Sequence, residues 1–248
     1  MVFKPVVVIP VFNHAAVICS TVEQILAHGL PCILVDDGSD AACANTLRSV
    51  AQAHPQAVTL LRLPLNQGKG AAMAEGLRRA AAIGFTHALQ IDADGQHQVA
   101  DMPLFLARAK AQPEAVICGC PVYDESVPKG RLIGRYATHI WVWINTLSFD
   151  IRDSMCGFRV YPLASVCELL STTPLGQRMD FDSDVIVRLH WRGVPVVNQP
   201  TRVVYPVGGI SHFRLWRDNV LISRMHTVLF FGMLRHLPML LRRKLGGP

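Results

Sequence analysis

Two aspartates stand one residue apart directly after an apolar run, and they are the strongest candidates for chemistry in this sequence. Residues 88–91 are mostly apolar, and Asp92, Asp94 and Gln96 follow at alternate positions. In an extended chain alternate side chains point the same way, so these three can present oxygen atoms to one cation. Such ligands suit Mg²⁺ or Mn²⁺, which usually keep several waters and bridge to substrate phosphates. The motif therefore predicts a divalent-metal site, and a solvated turn is the alternative that it leaves open.

Three other groups of polar residues could contact phosphate or move a proton. Lys69 stands between two glycines at the expected start of a helix, where backbone N–H groups bind anions, although a simple turn would look the same. Arg131 and Arg135 are four residues apart and share a face on a helix, so they could clamp a phosphate or simply be solvated. Asp182 and Asp184 begin a later helix, where acidic residues are common because they stabilise the helix dipole.

The elements that must position these residues alternate between strand and helix. Apolar runs predict strands at 5–10, 32–35, 58–63, 86–91 and 115–120, a strand-like run at 158–161, and helices at about 13–28, 40–54, 69–83 and 100–111. This order is typical of a parallel sheet, whose carboxyl edge is where ligands bind. The polar clusters at 12–14, 36–37 and 92–94 each follow a strand, so we expect them to meet at that edge. The glycine fingerprints of dinucleotide and P-loop sites are absent from the sequence.

The composition and the start of the chain bear on its compartment. The 248 residues contain no run of about 20 apolar residues, and the first residues lead straight into a strand. We therefore expect neither a membrane-spanning helix nor a signal peptide. The seven cysteines are scattered and lack the paired spacing of a zinc site, which favours reduced thiols in a cytosolic protein.

The basic residues are concentrated in the tail, residues 207–248. The formal net charge is +6, and the tail accounts for all of it with seven Lys and Arg against one Asp. Arg217, Arg224, Arg235 and Arg242 would fall within roughly 20° of one another on a helix, although Pro238 is expected to break or kink it. We predict that the tail is a basic amphipathic helix that docks on an anionic membrane. Packing of the same helix on the rest of the protein is the alternative.

Six motifs stand in an order that indicates a family. They are Ile9-Pro10-Val11-Phe12-Asn13, Val35-Asp36-Asp37-Gly38-Ser39, Asn66-Gln67-Gly68-Lys69-Gly70, Asp92-Ala93-Asp94-Gly95-Gln96, residues 153–158 and Phe181-Asp182-Ser183-Asp184. With them the sequence resembles family 2 glycosyltransferases of the GT-A fold, in particular the polyprenyl- and dolichyl-phosphate sugar synthase branch. The resemblance implies an α/β domain over residues 1–206, with a Rossmann-like, mostly parallel sheet flanked by helices. The tail would follow this domain.

The resemblance also implies a reaction and roles for individual residues. The reaction would be the inverting, metal-dependent transfer of a sugar from a UDP- or GDP-sugar to a lipid-linked or polyprenyl-phosphate acceptor. It would take place on the cytoplasmic face of the cell membrane, and no nucleic acid is expected as a partner. Asp182 or Asp184 would be the catalytic base or orient the acceptor, whose phosphate Arg131 and Arg135 would bind. Mg²⁺ or Mn²⁺ would be held by Asp92, Asp94 and Gln96. The nucleotide would be bound by Pro10, Phe12, Asn13, Asp37, Lys69 and Asp92.

Two positions depart from the family pattern, and both concern the substrates. His14 stands where the family commonly has Glu, close to the residues expected to bind base and ribose. Pro121-Val122-Tyr123 stands where this branch often has Ser-Arg-Tyr. The missing arginine weakens the case for a polyprenyl phosphate and admits another lipid-like acceptor.

Three other classes of protein are alternatives to a glycosyltransferase. A sugar-1-phosphate nucleotidyltransferase would open with a Gly-rich, basic loop that this sequence lacks. A nucleic-acid binder would explain the basic tail, but it has no need of a carboxylate pair at a strand end. A non-catalytic protein that binds sugar nucleotides remains open.

Overall fold

The computed structural model describes residues 2–122, 129–203 and 214–245, with only the backbone described for 129–133 and 215. The strands in these ranges are β1 (Pro5–Val11), β2 (Cys32–Asp36), β3 (Val58–Arg62), β4 (His87–Gln90), β5 (Val116–Val122), β6 (Arg159–Pro162) and β7 (Val196–Arg202). The α-helices are α1 (Ala15–Ala27), α2 (Ala41–Ala53), α3 (Lys69–Ala82), α4 (Met102–Ala111), α5 (Lys129–Thr146), α6 (Leu163–Thr172), α7 (Phe181–Trp191) and α8 (Leu215–Lys244). A 3₁₀ turn, Val99–Asp101, leads into α4.

The strands form a single sheet in the order β3-β2-β1-β4-β6-β5-β7. Neighbouring strands run parallel except at β6, which is antiparallel to both β4 and β5. The predicted α/β fold with a mostly parallel sheet flanked by helices is therefore confirmed.

The core lies on both faces of this sheet, and β1 shows why its sequence is continuously β-branched. Val6 and Val8 face a layer that includes residues of α3, α6, α7 and α8. Val7 and Ile9 face the other layer, which α1, α2 and α4 cover. A strand buried on both faces needs apolar residues at every position, rather than at alternate ones.

The second half of the sheet is less evident from the sequence. The strand-like run at 158–161 is found as β6, but a run of four residues does not indicate its direction. β7 and α6 were not predicted. β7 pairs with β5 alone and contains Pro200. A proline is tolerated in an edge strand, but in a sequence it argues against a strand, so β7 was hard to predict.

The tail contains one long helix, α8, whose inner face packs on the domain. Met225, Leu229 and Met233 are buried against the cluster that includes Val142 of α5 and Trp191 of α7. Arg243 donates to the backbone oxygen of Trp191 at 3.0 Å, so the end of α8 is also held on α7.

The break expected at Pro238 is not found, because α8 runs through this residue. A proline leaves the carbonyl four residues earlier without its helical partner. That carbonyl belongs to Leu234, a residue exposed to solvent.

All seven cysteines are free. In the part of the chain that the structure describes, none of the helices is both long enough and apolar enough to cross a membrane.

Candidate active site

Asp37, at the end of β2, organises the loop that leads into α3. Its carboxylate accepts hydrogen bonds from Gln67 N at 2.7 Å, Gly68 N at 2.9 Å and Asn66 Nδ2 at 2.9 Å. Burial raises the pKa of Asp37 above its ordinary value, although the two backbone N–H groups oppose this. Gly38 has φ of +68°, and a Cβ there would collide with the backbone of Leu65, so the position requires glycine.

The segment after β1 is joined to the same turn. Asn13 N donates to Ser39 Oγ at 3.1 Å, and Asn13 Oδ1 accepts from Asp40 N at 2.9 Å. Pro10 lies opposite Val35 in the β1–β2 pairing. The residues predicted to bind the nucleotide at the ends of β1 and β2, Pro10, Phe12, Asn13 and Asp37, are therefore neighbours at the carboxyl edge.

A largely buried ionic cluster lies where β4, α3 and α7 meet. Lys69 Nζ lies 2.8 Å from the Asp92 carboxylate and 2.7 Å from Asp182 Oδ2. The other Asp182 oxygen accepts from Gln90 Nε2 at 3.0 Å, and Gln90 Oε1 accepts from Tyr161 at 3.1 Å. We call Lys69, Asp92, Asp182, Gln90 and Tyr161 the Lys69 cluster. It connects the predicted phosphate-binding lysine to a predicted metal ligand and to a predicted base.

The charges of this cluster stabilise one another. Burial alone would lower the pKa of Lys69, but Asp182 and Asp92 outweigh it and raise the pKa above its usual value. Burial alone would raise the pKa of Asp92, but Lys69 and His97 hold it well below the usual range. His97 Nε2 lies 3.5 Å from the Asp92 carboxylate. The lysine and Asp92 are therefore both charged at neutral pH.

The two candidate catalytic acids of α7 have different surroundings. Asp182 belongs to the Lys69 cluster, whereas Asp184 binds Arg188 Nε at 2.5 Å and Gly176 N at 2.9 Å. Burial raises the pKa of Asp184 above its ordinary value, although Arg188 opposes this. Asp184 thus holds the segment before α7, and Asp182 is the acid that lies with Asp92.

A buried arginine fixes the start of α7. Arg159, on β6, donates to the backbone oxygens of Asp182 and Ser154, both at 2.5 Å. Since Arg159 is paired with Gln90 in the β4–β6 register, it ties the Lys69 cluster to the turn at 153–156.

Arg135, predicted to bind an acceptor phosphate, forms a two-point salt bridge with Asp153. Its Nε and Nη2 atoms lie 2.6 Å and 2.7 Å from the two carboxylate oxygens, and His139 Nε2 lies 3.4 Å from the same group. Burial would raise the pKa of Asp153, but His139 and Arg135 hold it below the usual range. The side chain of Arg131 lies outside the described residues.

Asp94 and Gln96 follow Asp92 of the Lys69 cluster in the chain, and their hydrogen bonds differ from those of Asp92. Asp94 is half-buried, and Gln96 N donates to its Oδ1 at 3.1 Å. The described residues contain no group of three or more His, Cys, Asp or Glu side chains placed to hold a metal ion. Mg²⁺ is commonly held by one or two carboxylates, with waters and substrate phosphates as its other ligands. Asp94, a half-buried carboxylate two residues after Asp92 in the chain, is of the kind that such a site could use.

Several residues of the site were not predicted from the sequence. They are Gln90, His97, Gly157, Arg159 and Tyr161. Two of them carried a signal. Gln90 is a polar residue, and Arg159 a charged residue, within runs that read as buried strands. Burying such a side chain costs free energy unless all of its polar atoms are hydrogen-bonded, so each residue indicates a bonding partner.

Gly157 supplies a prediction about the position of Asp92. A Cβ at residue 157 would collide with both carboxylate oxygens of Asp92. We expect Gly157→Ala to displace this carboxylate from Lys69 and to lower turnover roughly a hundredfold, the loss typical of a misplacement of about 1 Å. The measurement is the transfer rate at saturating donor. Gly134→Ala is the matched control, because a Cβ at residue 134 meets nothing within 4 Å. Equal rates in the two variants would contradict the prediction.

Known proteins resemble this chain in sequence and in fold. Residues 6–168 match the family model described as "Glycosyl transferase family 2". An uncharacterised protein of Methanocaldococcus jannaschii is 24% identical over 84% of this chain and 91% of its own length. Dolichyl-phosphate beta-glucosyltransferases of Trichomonas vaginalis and Dictyostelium discoideum are 29% and 26% identical, over 62% and 66% of this chain. The chain spans 48% and 52% of these two proteins, about half their length.

Two solved structures share the fold. A mannosyltransferase of Pyrobaculum calidifontis in complex with GDP-Man and Mn²⁺ has a TM-score of 0.59 at 19% identity, over 92% of this chain and 63% of that one. S. aureus TarS in complex with UDP-GlcNAc has a TM-score of 0.61 at 13% identity, over 97% of this chain and 72% of that one. The family match covers more than half of the chain, and these neighbours agree with it in fold. The chain belongs to glycosyl transferase family 2 and contains a glycosyltransferase domain of that family.

Proposed function

We propose that this protein transfers a sugar, with inversion, from a UDP- or GDP-sugar to a lipid-linked acceptor on the cytoplasmic face of the cell membrane. The observation that carries the proposal is the Lys69 cluster, which lies beside Asp94 at the carboxyl edge of a family 2 domain. Membership of the family supports a nucleotide-sugar donor. The names of the dolichyl-phosphate relatives support a lipid phosphate acceptor.

The donor would lie along the ends of β1, β2 and β4. Pro10, Phe12, Asn13 and Asp37 would surround the base and ribose, and Asp37 would act by holding the 66–68 loop in place. Asp94, with Gln96 and Asp92, would hold Mg²⁺ or Mn²⁺. When bound, the cation would neutralise the charge that develops on the departing diphosphate. Lys69 keeps Asp92 ionised and positioned for this role.

The acceptor would approach from the side of α5 and α7. If it is a hydroxyl, Asp182 would take its proton during attack, because Lys69 and Gln90 hold this carboxylate in a fixed position. If it is a phosphate, it is already anionic and needs no base. Arg131 and Arg135 lie in the first turns of α5 and would contact this phosphate, Arg135 from its salt bridge with Asp153.

A screen of donors against lipid extracts tests the proposal. Purified protein is incubated with radiolabelled UDP- or GDP-sugars, and label is measured in the organic phase. We expect transfer with at least one donor. The proposal fails if every donor gives no transfer, and donor binding without turnover would instead support a non-catalytic sugar-nucleotide-binding protein.

Substitution of the two acids distinguishes the acceptor classes. For a hydroxyl acceptor, we expect Asp182→Asn to lower the transfer rate by two to four decades, the range for loss of a general base. Asp184→Asn is the matched control, because Asp184 lies outside the Lys69 cluster. Little effect of Asp182→Asn would contradict its role as a base and would favour a phosphate acceptor.

A further inference from the structure

Arg178, in the segment between α6 and α7, reaches across to the loop that Asp37 organises. Its Nη1 atom donates to Asn66 Oδ1 at 3.2 Å, and Asn66 Nδ2 donates to Asp37 Oδ2 at 2.9 Å. Asn66 therefore joins a cation to the carboxylate at the end of β2. Burial raises the pKa of Asp37, and the positive charge of Arg178 is one of the influences that lower it, so the two groups lie close together.

The backbone around Arg178 lies directly against the first turn of α3. Gln177 O accepts from Ala71 N at 3.0 Å, and Arg178 N donates to Asp180 Oδ1 at 3.0 Å. Gly68 has φ of +108°, and a Cβ there would collide with Gln177 O and Arg178 Cγ, so the position requires glycine. The place of Arg178 at the carboxyl edge is thus fixed by its backbone as well as by its side chain.

Arg178 has hydrogen-bonding capacity that the protein does not use. A guanidinium has five N–H donors, and the bond to Asn66 takes one of them. Within the described residues Arg178 forms no salt bridge. Lys69, by contrast, is paired with two carboxylates. Arg178 is half-buried, and a half-buried cation with open donors is complementary to the oxygen atoms of an anionic ligand.

We infer that Arg178 is a further donor-binding residue, whose guanidinium contacts an oxygen atom of the nucleotide. The sequence assigns nucleotide binding to Lys69, but in the structure Lys69 lies between Asp92 and Asp182. Arg178 supplies a positive charge beside Asp37, and its planar fork suits a phosphate or a carbonyl oxygen. The inference deepens the proposed function and rests on it for the nucleotide-sugar donor.

This role differs from bracing of the 66–68 loop. Bracing would involve the hydrogen bond to Asn66 alone. Asp37 already holds the loop through two backbone N–H groups, so the loop has a support that is independent of Arg178. Nucleotide affinity, measured beside thermal unfolding, separates the two roles.

Nucleotide binding by the full-length protein tests the inference. Calorimetric titrations with UDP, GDP, uridine and guanosine are made with Mn²⁺ present and without an acceptor. We expect UDP or GDP to bind, and Arg178→Gln to raise its Kd roughly ten- to a hundredfold, the loss typical of a hydrogen bond to a charged group. A loss with the diphosphates alone places the contact on the diphosphate, and an equal loss with the nucleosides places it on the base or ribose.

Two further variants serve as comparisons. Arg178→Lys keeps the charge but not the planar fork, so its loss of affinity should be smaller. Arg79→Gln, at an exposed arginine of α3, is the matched control for the loss of one charge and should bind as the unmodified protein does.

Three results would overturn the inference. One is an unchanged Kd in Arg178→Gln. Another is a raised Kd accompanied by a lower midpoint of thermal unfolding, because a loosened loop would then explain the weaker binding. The third is a lack of nucleotide binding by the unmodified protein, which would overturn the proposed donor as well. Binding that depends on Arg178 in a protein that transfers no sugar would support the inference while the proposed function fails, and unchanged binding in an active enzyme would do the reverse.

Discussion

Replacing Lys69 with methionine is expected to lower the free energy of unfolding by about 3–5 kcal/mol, the cost typical of removing one partner from a buried ion pair. The Asp92 and Asp182 carboxylates would lose the cation between them. Asp182 is buried, so its unpaired charge should account for most of the cost, whereas Asp92 is partly exposed. Methionine keeps the length of the side chain, so the loss comes from charge and hydrogen bonding rather than from a cavity. Turnover should fall as well, because Asp92 and Asp182 would repel one another.

Urea unfolding of the variant and its controls measures this effect. Lys69→Met/Asp182→Asn should recover part of the lost stability, since one of the two unpaired charges is removed. Lys110→Met, at an exposed lysine of α4, should change the free energy of unfolding by less than about 0.5 kcal/mol. A loss of under 1 kcal/mol in Lys69→Met would show that the cluster contributes little to folding.

The same variant has a predicted pH dependence. Asp92 has a pKa below the ordinary value of 3.8 in the folded protein, so it contributes stability that is present above about pH 4. That contribution is lost as pH falls through the lower, folded pKa. Without Lys69 the pKa of Asp92 should rise toward or above its ordinary value. We therefore expect Lys69→Met to flatten this part of the acid unfolding curve.

Replacing Asp94 with alanine is expected to lower turnover by two to three decades, the range found when a group that stabilises transition-state charge is removed. Lys69 binds Asp92, and the bond recorded for Asp94 is the one that its Oδ1 accepts from Gln96 N. The loss of Asp94 should weaken the hold on the cation more than it weakens the fold.

Metal titration distinguishes this effect from a general loss of structure. We expect EDTA to abolish transfer by the unmodified protein, and excess Mg²⁺ or Mn²⁺ to restore it. Asp94→Ala should need more metal for half-maximal rate while keeping its unfolding midpoint. Glu114→Ala, at an exposed acid before β5, is the charge-matched control. Full activity in EDTA would rule out metal-dependent transfer.

The first half of the fold and the position of the site could both be predicted from the sequence, because strands and helices alternate regularly there. From β1 to β4 each strand is followed by a helix, so chain order, strand direction and the location of the polar turns are linked. Asp37, Lys69 and Asp92 could be assigned to one edge from that pattern alone. The hydrogen bonds from the 66–68 loop to Asp37 join two successive strand–helix units, so they are consistent with this pattern.

The partners of these residues could not be predicted in this way. Lys69 and Asp182 are 113 residues apart, and their contact depends on how α7 is placed by β6. The pattern gave no means of choosing between Asp182 and Asp184, which are both in the first turn of α7. Arg135 and Arg131 share a predicted face, but the carboxylate that binds Arg135 comes from a turn beyond the end of α5. Long-range ionic pairing is a property of the packed chain rather than of any local pattern.

The antiparallel position of β6 has a consequence for the order in which the chain folds. Strands β1 to β4 come from residues 5–90 and pair with one another, so this half can form as soon as it is synthesised. β5 and β7 join it only through β6, and until residue 162 is available the edge of β4 has no partner. An unpaired edge beside a buried Gln90 invites pairing with another chain. During synthesis on the ribosome, the interval between residues 90 and 162 is therefore when we expect the nascent protein to depend most on chaperones.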